Sequence, residues 1–337
     1  MSEPSGTASD RPVCVALCGT LAPEVIERAY RMAPENVELR VADLDRDLDG
    51  ALAVVAESHY IFAIPEGVPT SVVLAADNVK LIQMLSAGYD KVDTRLAIER
   101  GIPVALNGGA NAPSVAEHTV LLILALYRHL VDQAILVRGG GWKGPAGSSE
   151  PNHELPGKTV GLIGVGFIGR AVAARLRGFD VKITYYDVRR MSDEEERELG
   201  MSYVDLSELL TESDVVSLHL PLLPSTKHII GADQLATMKP SAVLVNTARG
   251  GLIDEAALTD ALESGRLYGA GLDVTEEEPA PVDHPLRRLR NCLITPHTAG
   301  PTQENWSRRL DNAFANMARV ERGELPEWRI PGSPERR

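Results

Sequence analysis

Three apolar, strand-like runs late in the chain each lead into an ionisable side chain. AVLVNTA runs into Arg249, GAGLDV into Thr275-Glu276-Glu277-Glu278-Pro279, and CLITP into His297. A cation, a carboxylate and an imidazole at one sheet edge describe carbonyl reduction. When hydride reaches the carbonyl carbon of a 2-oxo acid, negative charge grows on oxygen and a proton must quench it. His297 is the natural donor, because imidazole titrates near working pH. A carboxylate within hydrogen-bond distance stabilises the imidazolium and holds the ring in the useful orientation, and Glu278 takes that role. Arg249 offers a fixed fork of donors for the substrate carboxylate, the carbonyl, or both, which a lysine would do less well.

The hydride needs a carrier, and TVGLIGVGFIGRAVAARLRGFDVKITYYD reads as its site. Gly164, Gly166 and Gly169 stand in G-x-G-x-x-G spacing directly after a strand and at the opening of a helix. The first glycine permits the tight turn, the second lets a pyrophosphate approach the backbone, and the third allows close helix packing. Amides at the helix N-terminus then meet the phosphate charge. A second strand ends at Asp187, 18 residues past Gly169, where a carboxylate accepts hydrogen bonds from the adenosine ribose. NAD is favoured over NADP, because a 2′-phosphate would meet the Asp187 charge, with Arg189 and Arg190 nearby as partial compensation.

These residues have to be carried by parallel sheets. From Val13 to Leu106 short β-branched runs (VCVAL, VELRV, ALAVV, YIFAI, VKLIQML, IPVAL) alternate with helix-like segments such as PEVIERAYRM and RLAIER. After Pro113 the run SVAEHTVLLILALYRHLVDQAILVR predicts one helix of about 25 residues with Ser114 as N-cap. GGGWKGPAGSSEPNHELPGK, which includes Gly139 to Gly141, is a connection without regular structure. A second series then predicts the strands TVGLIG, VKITYYD, DVVSLHL, AVLVNTA, YGAGLDV and CLITPH, and residues 302–322 a last helix. The fold class is α/β, with two doubly wound domains.

Composition agrees. At 337 residues the chain has room for two cores. Acidic residues (47) outnumber basic ones (34), and a net charge of −13 argues against nucleic acid and anionic membrane as partners. No run reaches the roughly 20 apolar residues of a membrane helix, and MSEPSGTASD lacks the apolar stretch of a secretory signal, so a cytoplasmic protein with a frayed N-terminus and a loose tail beyond Pro331 is expected. Cys14, Cys18 and Cys292 read as buried thiols, and no metal site is expected.

The chain resembles the D-isomer-specific 2-hydroxyacid dehydrogenase family from about Leu39 to Glu324. The resemblance is carried by SAGYDKVD (86–93), VAEHT (115–119), GLIGVGFIG (161–169), DVVSLHLPLLPSTKHII (214–230), LVNTARGGLIDEAAL (244–258), GLDVTEEEP (271–279) and TPHTAG (295–300). It implies a Rossmann NAD-binding domain (107–298) inserted into a flavodoxin-like substrate domain (1–106 and 299–337), with the last helix packing on the N-terminal domain. The roles of Arg249, Glu278 and His297 carry over. Backbone amides around Ser86, Ala87 and Gly88 are implied to hold the substrate carboxylate, and Phe167 and Ile168 to touch the pyrophosphate. His219, Leu220, Pro221, Thr226, Thr247, Ala248 and Asp273, with Ala299 and Gly300, are implied to line the cofactor pocket. A homodimer built around the helix from Ser114 is also implied.

The neighbouring residues have plainer readings. Glu276, Glu277 and the run DEEERE (193–198) are solvated charges, and His118 is structural. His219 faces cofactor without a proton to move, while Trp306 serves either the core or the site mouth. YIFAIPEG (60–67) borders the substrate, and Thr275 stands where the family often carries an aromatic. The expected activity interconverts a small D-2-hydroxy acid and its 2-oxo acid, with glyoxylate, hydroxypyruvate and larger acids all open. The alternative is an NAD(H)-sensing binding protein resembling the family's corepressors.

Overall fold

In the computed structural model, which describes residues 12–64, 67–89, 91–142 and 151–334, alternation of short buried runs with capped helices builds two parallel sheets. The expected frayed N-terminus, Pro65 and Glu66 of YIFAIPEG, Asp90 of SAGYDKVD, residues 143–150 of the Gly/Pro-rich connection and the end of the tail lie outside the described residues. The first series runs β1 (Val13–Cys18), α1 (Pro23–Met32), β2 (Val37–Ala42), α2 (Leu48–Glu57), β3 (Tyr60–Ala63), α3 (Thr70–Ala75), β4 (Leu81–Met84), α4 (Thr94–Glu99) and β5 (Val104–Ala105). Asp47 and Asp93 start α2 and α4 by accepting the Gly50 and Leu96 amides at 3.0 Å, satisfying donors the first turn leaves open. The run ALAVV is therefore helical, lying within α2 once Asp47 caps it.

The second series is α5 (Ala112–Tyr127), α6 (Leu130–Arg138), β6 (Thr159–Ile163), α7 (Phe167–Leu176), β7 (Lys182–Tyr186), α8 (Asp193–Leu199), β8 (Met201–Tyr203), α9 (Leu206–Glu212), β9 (Val215–Leu218), α10 (Ala232–Thr237), β10 (Val243–Asn246), α11 (Glu255–Glu263), β11 (Gly269–Leu272) and β12 (Cys292–Ile294), followed by α12 (Gln303–Glu321). By compactness the chain forms two units, one of the residues up to Asn111 with those from Thr302 onward, the other of Ala112–Pro301.

In the first unit the strand order is β2-β1-β3-β4-β5, all parallel, the flavodoxin-like arrangement. One sheet face packs on α1 and α12 through Val15, Leu17, Phe62, Phe314 and Met317; the other packs on α2 and α3 through Ile61, Ile82, Val55 and Val72. Trp306 belongs to the first of these cores, with the Arg309 guanidinium 4.6 Å from its ring centroid.

In the second unit the order is β12-β11-β10-β9-β6-β7-β8, a Rossmann sheet with one further strand. The order reverses between β6 and β9, which is where such sheets bind ligands beyond the strand ends. Three-residue β8 escaped the sequence reading because MSY offers no alternation to recognise.

The single long helix expected from Ser114 is instead two helices bent by 65°. His129 sits between them with φ 48°, and its Nε2 lies 3.0 Å from the Tyr268 hydroxyl, which also donates to the Pro151 carbonyl at 2.9 Å. Ser114 is not the cap: α5 begins at Ala112, with Pro113 in the first turn where its missing N–H costs nothing. No single helix among the described residues is long and apolar enough to cross a membrane.

Candidate active site

The glycine turn lies at the carboxyl end of β6. Gly164 has φ +95°, and a Cβ there would stand 2.7 Å from the His219 carbonyl oxygen at the end of neighbouring β9. Only glycine fits both constraints. A Cβ on Gly169 would collide with the Gly164 carbonyl, so the third glycine sets the close approach of α7 to the turn. Gly166 differs, since nothing lies within 4 Å of its Cβ direction. Together with exposed Phe167 and half-exposed Ile168, it leaves the first turn of α7 open to an anionic group. The Asp187 carboxylate, just past β7, accepts the Val165 amide at 2.8 Å and the Arg189 amide at 3.3 Å, which fixes it beside the turn. These residues fit a dinucleotide.

Arg249, Glu278 and His297 follow β10, β11 and β12, three adjacent strands that all end at this edge. His297 Nδ1 lies 2.8 Å from Glu278 Oε2, with the imidazole half exposed and the carboxylate one-third exposed. Glu278 is itself oriented by the Thr275 amide, which donates to Oε1 at 3.3 Å. His297 has φ 53°, a left-handed conformation that costs a non-glycine residue about 1–2 kcal/mol. Its amide donates to the Asp273 carbonyl at 2.8 Å, which holds it there. The Arg249 loop meets the Glu278 loop directly, because a Cβ at Gly250 would collide with the Thr275 carbonyl. Arg249 Nη1 donates to the Ala248 carbonyl at 2.7 Å.

Asp273 is almost fully buried and its carboxylate faces the His297 loop. It accepts the Thr295 hydroxyl at 2.6 Å and the Thr298 and Ala299 amides at 2.9 Å each. His118 Nε2 stands 2.9 Å from the Thr295 hydroxyl and 3.6 Å from Asp273, so VAEHT bears on the same loop from α5. Gly300 is half-exposed at the end of that loop. Thr247 is buried against Thr119, the hydroxyl oxygens being 3.0 Å apart, and the Ala248 amide donates to Asn246 at 3.0 Å.

His219 pairs with the Ser217 hydroxyl at 3.0 Å through Nε2, while its Nδ1 is buried without a partner. Burial holds this imidazole far down, to about 3, so the ring is neutral at working pH. Leu220 and Pro221 continue from it. The Thr226 hydroxyl closes their turn by donating to the Pro221 carbonyl at 2.7 Å. Ser86, Ala87 and Gly88 belong to the other unit, at the carboxyl end of β4, where the Ser86 hydroxyl donates to the Gly88 carbonyl at 2.7 Å.

Comparison with known proteins agrees with this geometry. Residues 120–299 match the family model for the D-isomer specific 2-hydroxyacid dehydrogenase, NAD binding domain. A glyoxylate reductase of Thermofilum pendens is 42% identical over 282 residues, covering 83% of this chain and 80% of its own. The chain belongs to the D-isomer specific 2-hydroxyacid dehydrogenase family. A hydroxypyruvate reductase of Thermotoga maritima is 39% identical over 282 residues, covering 82% of this chain and 90% of its own. Among solved structures, the NAD-complexed D-isomer specific 2-hydroxyacid dehydrogenase of Lactobacillus delbrueckii ssp. bulgaricus superposes with TM-score 0.78 at 27% identity, over 94% of this chain and 99% of that one. NAD is the cofactor of this dehydrogenase fold.

The charges read as solvated are exposed for the most part, and Glu276, Glu195 and Glu196 among them also have partners. Glu276 pairs with His228 at 2.9 Å. Within DEEERE, Glu195 caps α8 and bonds Arg170 at 2.8 Å, while Glu196 accepts the Tyr185 hydroxyl and the Arg190 guanidinium at 2.9 Å. Their partners come from α7, β7 and other loops, so charge density along the sequence could not reveal them.

Proposed function

We propose that this dehydrogenase interconverts a small D-2-hydroxy acid and its 2-oxo acid, with His297 as acid/base, Glu278 as its partner and Arg249 as the substrate-binding cation. The observation that carries the reading is the 2.8 Å contact of His297 Nδ1 with Glu278, on an imidazole that is half exposed. With Nδ1 so engaged, Nε2 is the nitrogen that gives a proton to the substrate oxygen in reduction and takes it back in oxidation. Glu278 orients the ring and stabilises the imidazolium during that exchange. Arg249 binds the substrate carboxylate and polarises the carbonyl, stabilising charge that develops on oxygen. NAD held at the glycine turn would supply the hydride in reduction and take it up in oxidation.

Relatives named glyoxylate and hydroxypyruvate reductases support a small 2-oxo acid as substrate. The homodimer reading draws on α6, which buries none of its residues while Leu130, Val131, Ile135, Leu136 and Val137 are each 40–61% exposed. Such a face calls for a partner, and a second copy of the same helix supplies matching apolar area.

The test is oxidation of NADH against a panel from glyoxylate and hydroxypyruvate to branched and aromatic 2-oxo acids, repeated with Arg249→Ala. The expected result is turnover of at least one small acid and a kcat/KM loss of about 10³-fold in the variant, equivalent to about 4 kcal/mol. A variant close to wild type would refute the role of Arg249.

A further inference from the structure

Glu255 opens α11 and reaches two partners at once. Its Oε1 accepts the Glu276 backbone amide at 2.8 Å, and its Oε2 lies 2.9 Å from His284 Nε2. Both side chains are largely buried, Glu255 at 14% and His284 at 12% exposed. His284 Nδ1 is buried without a partner, so the proton sits on Nε2 and is donated to Glu255; an orphaned N–H on Nδ1 would cost more than an unused lone pair.

The bonds continue beyond this pair. Glu276 Oε1 meets His228 Nε2 at 2.9 Å, and the His228 amide donates to the Gly251 carbonyl at 2.9 Å. One connected series therefore runs from His284 through Glu255, Glu276 and His228 to Gly251. It ties the loop that carries Glu278, two residues past the anchored amide, to the loop that carries Arg249. A buried hydrogen-bonded pair of this kind is weak as a source of stability, since desolvation offsets most of what the bond contributes, and the best-attested use of such buried polar groups is fixing a register. Here the register is that of the Glu276–Glu278 segment.

We propose that Glu255, clamped by His284, is a positioning residue that holds Glu278 in bonding distance of His297. This rests on the reading of Glu278 and His297 as the proton-transferring pair. Among the described residues Glu255 makes no bond to either, so it acts through the Glu276 backbone.

The test uses the full-length protein and Glu255→Ala, Glu255→Gln and His297→Ala, followed by kcat, KM for NADH, NADH affinity from fluorescence titration, and amide hydrogen exchange over residues 274–279. In Glu255→Ala the expected result is a kcat loss of about 100-fold, unchanged NADH affinity and faster exchange in that segment. Glu255→Gln keeps an acceptor for the Glu276 amide and recovers activity to within about tenfold of wild type. Should Glu255→Ala fail to fold, His284→Ala removes only the clamp and is expected to lower kcat about tenfold with faster exchange in the same segment. Wild-type kcat and exchange in the folded Glu255 or His284 variant, with His297→Ala inactive, would overturn the proposal and leave the reading of the pair intact. Activity retained in His297→Ala would overturn both. A parallel fall of kcat, NADH affinity and melting temperature would assign Glu255 a structural role instead.

Discussion

His297 keeps a left-handed backbone at the end of β12 because Asp273 holds it from two sides, its carbonyl taking the His297 amide and its carboxylate taking Thr295, Thr298 and Ala299. His219, at the end of β9 three strands away, shows the opposite treatment of an imidazole, its Nδ1 shut away from solvent and the ring kept neutral. That burial has a measurable consequence. An unfolded histidine takes up a proton near pH 6.5, whereas His219 resists until about 3, so the unfolded state binds more protons between those values and stability falls as pH drops through that window. His219→Gln should therefore flatten the pH dependence of urea-unfolding stability between pH 6.5 and 4 by up to about 1.4 kcal/mol per pH unit. An unchanged slope would show that His219 is solvated. The types of Arg249, Glu278 and His297 were legible in the sequence because the chemistry admits few substitutes for them. The occupation of Asp273 was not, since its partners become neighbours only when β11 and β12 pair.

The proposed preference for NAD over NADP rests on Asp187, just past β7. Arg189 and Arg190 follow Asp187 closely enough to suggest help for a 2′-phosphate, yet Arg190 is drawn to Glu196 at 2.9 Å and lies over the Tyr203 ring, with its guanidinium carbon 5.6 Å from the centroid. The Tyr185 hydroxyl accepts the Met191 amide at 2.8 Å and donates to Glu196 at 2.9 Å, so the loop and the helix are braced together. Asp187→Ala removes a carboxylate that accepts charge-assisted hydrogen bonds of about 1.5–3 kcal/mol. The expected loss is at least tenfold in the NADH/NADPH ratio of kcat/KM, read from steady-state kinetics with both cofactors. An unchanged ratio would remove Asp187 from ribose recognition. The glycine spacing and the acid after the second strand were readable because both are fixed distances along one chain. The brace was hidden, because Tyr185, Arg190, Glu196 and Tyr203 meet only across β7, α8 and β8, and β8 was itself invisible. The break of α5 from α6 was hidden too, resting on Tyr268, far along the chain from His129.

At the scale of the whole molecule, strand and helix alternation is enough to announce two doubly wound units, because each parallel strand needs a crossover helix and each helix an apolar face. It does not say that residues from Thr302 onward join the first unit, an expectation that only the family resemblance supplies; Phe314 and Met317 of α12 lie in one core with Phe62. The second unit carries the glycine turn, Asp187, Arg249, Glu278 and His297, so its family match at 120–299 covers the residues proposed for cofactor binding and proton transfer. In the proposed mechanism turnover depends on His297 and not on cofactor binding alone. The direct measurement is NADH-dependent reduction of the best 2-oxo acid by wild type and His297→Ala, with NADH affinity titrated on both. The expected result is a kcat loss of about 10³-fold or more in His297→Ala with NADH affinity unchanged. Tight NADH binding without turnover in wild type, accompanied by NADH-dependent assembly, would contradict it and identify a dinucleotide sensor.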